Sequence, residues 1–369
     1  MAIAQGGSAA SQLPAVDQYD VNKYIISPLF MGGDYMNYMD IMPNIKGQTK
    51  IDHFGKLDKS TLDFNDGEFA SSASTPFSAV TISPKRMEME HEFRANSLFG
   101  RIKGQLMRAN TDFDNIDGSV VKKALLEIIG NAAKADFNRQ LWLNSTHTAN
   151  AGSDHLAPGV HYGSYDGIFA LCGKTLDAAQ QLIATDIANV TSGSALNQAT
   201  GSTNSALNIL DGLYAAATPE LRESQMVFFV SGDIADSYAA YLAGTGYAAA
   251  GFGALVSGAP MTYKGVPVVV RRDWDKYIVA DSSDGDGGSD GSVINGAGHA
   301  STSKSNTHRA VLTAQNAFIV GTDFSETQVE QWYSLDAKAY RFRVSYMVGA
   351  ALADKSLAVV YTPAALRTS

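Results

Sequence analysis

The sequence is poor in the residues that fix most recognisable chemistries. It holds 1 cysteine, Cys172, among 369 residues. That excludes an intramolecular disulfide and any cysteine-rich zinc site, and a lone cysteine reads as a small buried hydrophobe. Charged residues make up only 18% of the chain, below the roughly 25% usual in soluble domains. Positive charge is the scarcer sign, with 28 Lys and Arg against 37 Asp and Glu and a formal net charge of -9. This argues against a dedicated nucleic-acid binder, which would carry a basic domain or stripe. A container for DNA is a different case, because its lining must not grip the duplex. Long apolar runs are also missing. No stretch reaches the roughly 18 uninterrupted apolar residues of a membrane span. Met1 to Ala15 has no basic segment followed by an apolar run and does not read as a signal peptide. The expectation is a soluble chain made in the cytoplasm, with no membrane partner.

What is present is an ordinary supply of core-forming residues. Hydrophobic residues are 45% of the chain, enough for a folded core, and the length suits two or three sub-domains. Few charges with many Ala, Ser, Gly and Tyr suit a chain that buries much of its outside against other copies.

Residues 1–48 are irregular, with small residues first and then a Met/Tyr-rich run through Tyr35, Met36, Tyr38, Met39 and Met42. They read as an arm that packs on neighbours, or as a terminus. Residues 49–95 read as β. Met87, Met89, His91 and Phe93 alternate with Arg86, Glu88, Glu90 and Glu92, the period of a strand with one wet face. Thr49 to Leu57 and Phe77 to Ser83 also favour strand, and 58–74 is polar. The whole reads as a long hairpin that needs a partner surface. A helix is expected from about Ser119 to Asn144, N-capped by Ser119, with a stripe of Val121, Leu125, Ile128, Ala132 and Ala135 widened by Val120, Ala124 and Ile129. At about 26 residues it would be roughly 39 Å long. Further helices are expected at Leu176 to Ala188, at Asn204 to Ala217, and after a Ser231/Asp233 cap to about Leu242. Strands are expected at Met226 to Val230, Val266 to Arg271, Tyr340 to Val348 and Leu357 to Tyr361. The class is α+β with mixed sheets and no regular βαβ alternation.

The search for chemistry yields no committed catalytic, cofactor-binding or metal residue. There is no Gly-x-x-x-x-Gly-Lys-Ser/Thr phosphate loop, and Gly244-Thr245-Gly246 and Gly251-Phe252-Gly253 lack the dinucleotide spacing. Gly287-Gly288-Ser289-Asp290-Gly291 matches a nucleophile-elbow string, but that chemistry needs a strand before Ser289 and a helix after it. Asp281, Asp284, Asp286 and Asp290 offer hard oxygens without the spacing of a helix-loop-helix Ca²⁺ site, within an Asp/Gly/Ser-rich loop at 281–306. His147, His155 and His161 with Asp154 lack the fixed spacing of a zinc site. Glu88, Glu90 and Glu92 read as the wet side of a strand whose repulsion a neighbouring Lys or Arg relieves. The expectation is no enzyme and no cofactor.

The order of these elements resembles the major capsid protein family of tailed bacteriophages, with its Hong-Kong-97 type fold. Leu141-Trp142-Leu143-Asn144 is similar to the family's helix end. Tyr263-Lys264-Gly265-Val266-Pro267-Val268-Val269-Val270 resembles its Gly-x-Pro-Val strand. Ala310-Val311-Leu312 with Gln315 to Asp323 resembles its strand and Asn-x-x-x-x-Gly turn, and 340–348 with 357–361 its closing strands. The resemblance implies an N-terminal arm at 1–48 and an E-loop hairpin at 49–95. It implies a P domain at 96–165 with a spine helix at about 119–144, and an A domain at 166–325. Return strands of the P domain would occupy 326–369. It implies a shell subunit forming hexamers and pentamers of an icosahedral capsid around double-stranded DNA, located in the virion after assembly in the host cytoplasm. Its further partners would be scaffolding, portal and decoration proteins. Some members join subunits by a Lys–Asn isopeptide bond. Lys56 and Lys59 lie near the E-loop but pair with no particular Asn and Glu, so no cross-link is expected. An encapsulin-like nanocompartment shares the fold, and a secreted adhesin or surface-layer subunit stands as the reading from another class.

Overall fold

The structure, a computed structural model, describes residues 37–54, 77–94, 120–144, 146, 164–176, 181–183, 205–244, 261–276, 308–323, 328–334, 336–337 and 339–361. In chain order the strands are β1 (Asp40–Met42), β2 (Thr49–Phe54), β3 (Phe77–Ile82), β4 (Lys85–Arg94), β5 (Leu182–Ile183), β6 (Met226–Ser231), β7 (Thr262–Tyr263), β8 (Val266–Arg271), β9 (Ala310–Ala314), β10 (Phe318–Thr322), β11 (Gln328–Ser334), β12 (Ala339–Leu352) and β13 (Ala358–Tyr361). The helices are α1 (Val120–Leu143), α2 (Ile168–Thr175), α3 (Ser205–Ala215), α4 (Pro219–Glu223) and α5 (Gly232–Gly244). The chain divides into two units, each assembled from separate stretches. One holds 85–138 and 322–348, the other 38–84, 139–321 and 349–369.

In the first unit β12 pairs antiparallel with β11 on one side and β4 on the other. The alternation expected at 340–348 is met. Tyr340, Phe342, Val344, Tyr346 and Val348 are buried, each worth about 1.5–3 kcal/mol of burial. Phe137 of α1 meets Tyr346 edge-on, with ring centroids 6.3 Å apart. The inward face of α1 differs from the expected stripe. Leu125, Leu126, Ile129, Ala133 and Phe137 are buried, whereas Ile128 is 55% exposed and Ala132 is exposed. The bulkier i, i+4 series, ending on an aromatic ring, takes the inside over the smaller Ile128–Ala132–Ala135 row.

The pairing of β4 corrects the expected hairpin. β2 and β3 do form one, from Thr49 opposite Ile82 to Phe54 opposite Phe77. β4, also assigned to it, instead runs the length of β12, from Arg94 opposite Ala339 to Lys85 opposite Val348. Ser83 and Pro84 separate the two sheets, and Pro84 can donate no ladder hydrogen bond.

The second unit is built on a mixed six-stranded sheet in the order β5-β13-β9-β6-β8-β7. Phe228, Phe229, Val311, Leu312, Val359 and Val360 are fully buried in its centre, as expected for continuous apolar runs. α3 and α5 pack on it and on each other. β7 and β8 join through Lys264 at φ 49° and Gly265 at φ 82°, a two-residue turn of the kind that needs left-handed residues.

Three further expectations are corrected in this unit. The helix placed at Leu176 to Ala188 lies earlier, at Ile168–Thr175. Leu176 is its C-cap in an extended conformation (φ -78°, ψ 150°), and Leu182–Ile183 is a strand beside β13. The last strand, β13, was assigned to the P domain with 326–369. It pairs with β9 and β5 in the six-stranded sheet. A short turn at Lys355–Leu357, capped by the Asp354 carboxylate on Ser356 N–H at 2.9 Å, redirects the chain after β12. Finally, part of the presumed neighbour-packing arm stays on its own chain. β1 pairs in parallel with β10, Asp40 opposite Ile319 to Met42 opposite Gly321. Met39 and Ile45 are buried.

Candidate functional site

Among the described residues, three arrangements carry the polar and projecting features. The first is the wet face of the β4–β12–β11 sheet. Antiparallel register sets Glu92 opposite Arg341 and Glu90 opposite Arg343. Arg341 Nε donates to Glu92 at 3.0 Å, and Arg343 reaches Glu90 at 2.6 Å, Glu88 at 2.5 Å and Glu330 at 3.6 Å. The hydrogen bonds that Arg343 donates to Glu90 raise its guanidinium pKa above the usual range, and the neighbouring glutamates add to this. Arg343 also lies 5.7 Å from the Trp332 ring. The three glutamates therefore read as half of a ladder that closes within the chain. The sequence contained both halves, but nothing local told that a strand at 85–94 would meet one at 339–348.

The second arrangement is the β2–β3 hairpin and its root. Ile45, Ile82, Ile319 and Ala351 form a buried cluster on which Met42 of β1 packs, together with Ile51 and Val80 from one side of the hairpin base. The other side carries exposed Lys50 and Asp52. The residues between the two strands, with Lys56 and Lys59, lie outside the described residues.

The third is a charged junction inside the second unit, wrapped around an aromatic cluster. Trp142, fully buried at the end of α1, meets Phe169, Phe229, Trp274 and Phe318 with ring centroids 5.7, 5.3, 4.7 and 6.2 Å away. Beside it, Arg309 is completely buried and its guanidinium lies 5.8 Å from the Phe169 ring. Burial lowers its pKa to about 10, held up by Tyr361 and Asp233. Ser231 was expected to cap α5. Its hydroxyl instead donates to Asp233, and the first N–H of the helix, on Gly232, donates to Asp275 at 2.7 Å. His308 Nδ1 contacts the second oxygen of Asp233. Serine, aspartate and histidine thus meet, but in the wrong order for a nucleophile. The carboxylate stands between the hydroxyl and the imidazole, so the group that accepts from Ser231 Oγ is Asp233 and not His308, and Ser231 is 0% exposed.

Sequence candidates for chemistry fall largely elsewhere. Ser289, the aspartates at 281, 284, 286 and 290, the histidines at 147, 155 and 161 and Asp154 lie outside the described residues. Cys172 is buried, and burial raises its thiol pKa, which disfavours the thiolate. Among the described residues no group of three or more His, Cys, Asp or Glu could hold a metal. No described helix is long and apolar enough to cross a membrane.

No family model matches the sequence, and no curated protein matches it either. Solved structures do. A chain of the satellite phage P4 procapsid including its size determination protein is similar at a TM-score of 0.51 and 9% identity, covering 92% of this chain and 98% of that one. A chain from the capsid of the native GTA particle is similar at a TM-score of 0.51 and 12% identity, covering 89% of each chain. At such identities the likeness is one of fold. The chain has the fold of phage capsid proteins.

Proposed function

We propose that the chain is the major capsid protein of a tailed phage, a shell subunit that works by self-assembly into hexamers and pentamers and not by catalysis. The observation that carries this reading is the end-to-end likeness to a chain of a phage procapsid, 92% of one chain against 98% of the other. In this reading 1–48 is the N-terminal arm. The E-loop is the β2–β3 hairpin with its tip, α1 is the spine of the P domain, and the six-stranded sheet is the core of the A domain. The hairpin is rooted on Ile45 and Ile82 and leaves a two-stranded excursion that a neighbouring subunit would cover. Head-to-tail contacts of this kind close into rings, and obligate interfaces commonly bury about 2,000–5,000 Å². The acidic chain lets packaged double-stranded DNA lie inside without sequence-specific binding. Scaffolding, portal and decoration proteins are the further partners of such a shell, and the virion is its location.

Deletion of residues 60–75, the hairpin tip, tests the assignment. The expected product is a folded subunit, with circular dichroism like that of the full chain, that fails to form stable shells. Normal particles from the deleted chain would contradict the role given to the hairpin.

A further inference from the structure

The start of α5 brings together groups from four stretches of chain. Asp275, in the helical turn 272–276 that follows β8, accepts the Gly232 N–H at 2.7 Å. Its carboxylate fills the space where a side chain would begin: a Cβ on residue 232 would lie 2.5 Å from Asp275 Oδ2. The other oxygen, Oδ1, is buried and has no hydrogen-bond partner among the described residues. Asp233 stands next to it on the first turn of α5. One oxygen accepts from Ser231 Oγ and from Ile234 N–H, the latter at 2.8 Å, and the other faces His308, which enters β9. Burial and the Asp233 charge push the Asp275 carboxyl up to about 7, against the backbone N–H groups of Gly232 and Asp233 and the His308 ring.

The remaining charges around this point are largely committed. Arg272 forks onto Asp236 at 2.8 and 3.1 Å, Arg271 pairs with Asp273, and Arg309 is buried behind His308. Two carboxyl groups this close in a partly dry site cannot both ionise cheaply.

We propose that Asp275 and Asp233 act as a proton-holding acid pair, bridged to His308, that docks β6, α5, turn 272–276 and the entry of β9 while its proton is in place and loosens that junction when the proton leaves. The direction follows from linkage. The folded chain keeps a proton on Asp275 up to about pH 7, whereas an unfolded carboxyl releases it near pH 4. Between those values the folded state binds more protons, so the stability from this group is present at low pH and is lost as pH rises through about 7. The device is independent of the shell reading.

Hydrogen exchange by mass spectrometry on the full chain, from about pH 5.5 to about pH 8.5 and corrected for intrinsic exchange, tests it. Wild-type protection over residues 231–244 should fall by about tenfold or more as pH rises through neutrality, while β13 stays level. Asp275→Asn keeps an acceptor for Gly232 N–H without the titrating proton and should flatten the profile. Asp233→Asn removes the repelling charge, brings the Asp275 carboxyl back toward its ordinary range and should make the fall shallower. A flat wild-type profile overturns the proposal. So does an Asp275→Asn profile that still follows the wild type or, should that variant fail to fold, an Asp233→Asn profile unchanged from it.

Discussion

Trp142 and Arg343 stand at opposite ends of what one side chain contributes. Trp142 is 0% exposed and touches rings from α2, β6, turn 272–276 and β10. Trp142→Ala should cost about 3–5 kcal/mol in denaturant unfolding, from lost transfer energy and the cavity left behind. Arg343 faces solvent, where ion pairs contribute little and salt screens them. Arg343→Ala should therefore leave the unfolding midpoint nearly unchanged at high salt and lower it slightly at low salt. The apolar string 141–143 was legible in the sequence as a helix end. Its partners were not, because Phe169, Phe229, Trp274 and Phe318 come from four distant stretches and no local period announces them. His308 is hidden in the same way. The Ser231/Asp233 pair looked like a cap by its spacing, yet Asp275, 43 residues on from Gly232, supplies the capping oxygen.

At the scale of elements, α1 gives the sharpest lesson. Its length was readable from its 3.6 period, and Leu125 and Ile129 of the expected stripe are buried, but Ile128 and Ala132 of that stripe face outward. Ile128 and Ile129 are both β-branched and apolar, and only packing decides that Ile129 is 1% exposed and Ile128 55%. Ile129→Ala should cost about 2–5 kcal/mol, and Ile128→Glu should change stability by no more than about 0.5 kcal/mol, both by thermal or urea unfolding. Equal costs would contradict the observed face. The Lys264–Gly265 turn was legible because turn chemistry is local. Gly265 at φ 82° makes a second check: Gly265→Ala should cost about 1 kcal/mol. The partner of β4 was illegible, since an alternating strand states which face is wet but not which strand lies beside it. The helix at Ile168–Thr175 was missed because eight residues are too few to show a period clearly, and because its N-cap is Gly167, with no side-chain cap.

For the whole molecule, the order of elements carried more information than any motif. Hairpin, long helix, mixed sheets and closing strands appear in the sequence in the order in which the structure places them. The two units are each made of separate stretches. β12 begins in one unit, and β13, a few residues later, belongs to the core of the other. The shell reading rests on this fold and on a hairpin that the chain roots but does not cover over its described length. Electron microscopy of the purified full-length protein tests that reading most directly. Closed icosahedral shells, or free hexamers and pentamers, are the predicted result, with nuclease-protected double-stranded DNA inside particles taken from infected cells. A protein that stays monomeric at every concentration and salt condition, with no ring or shell, would contradict it.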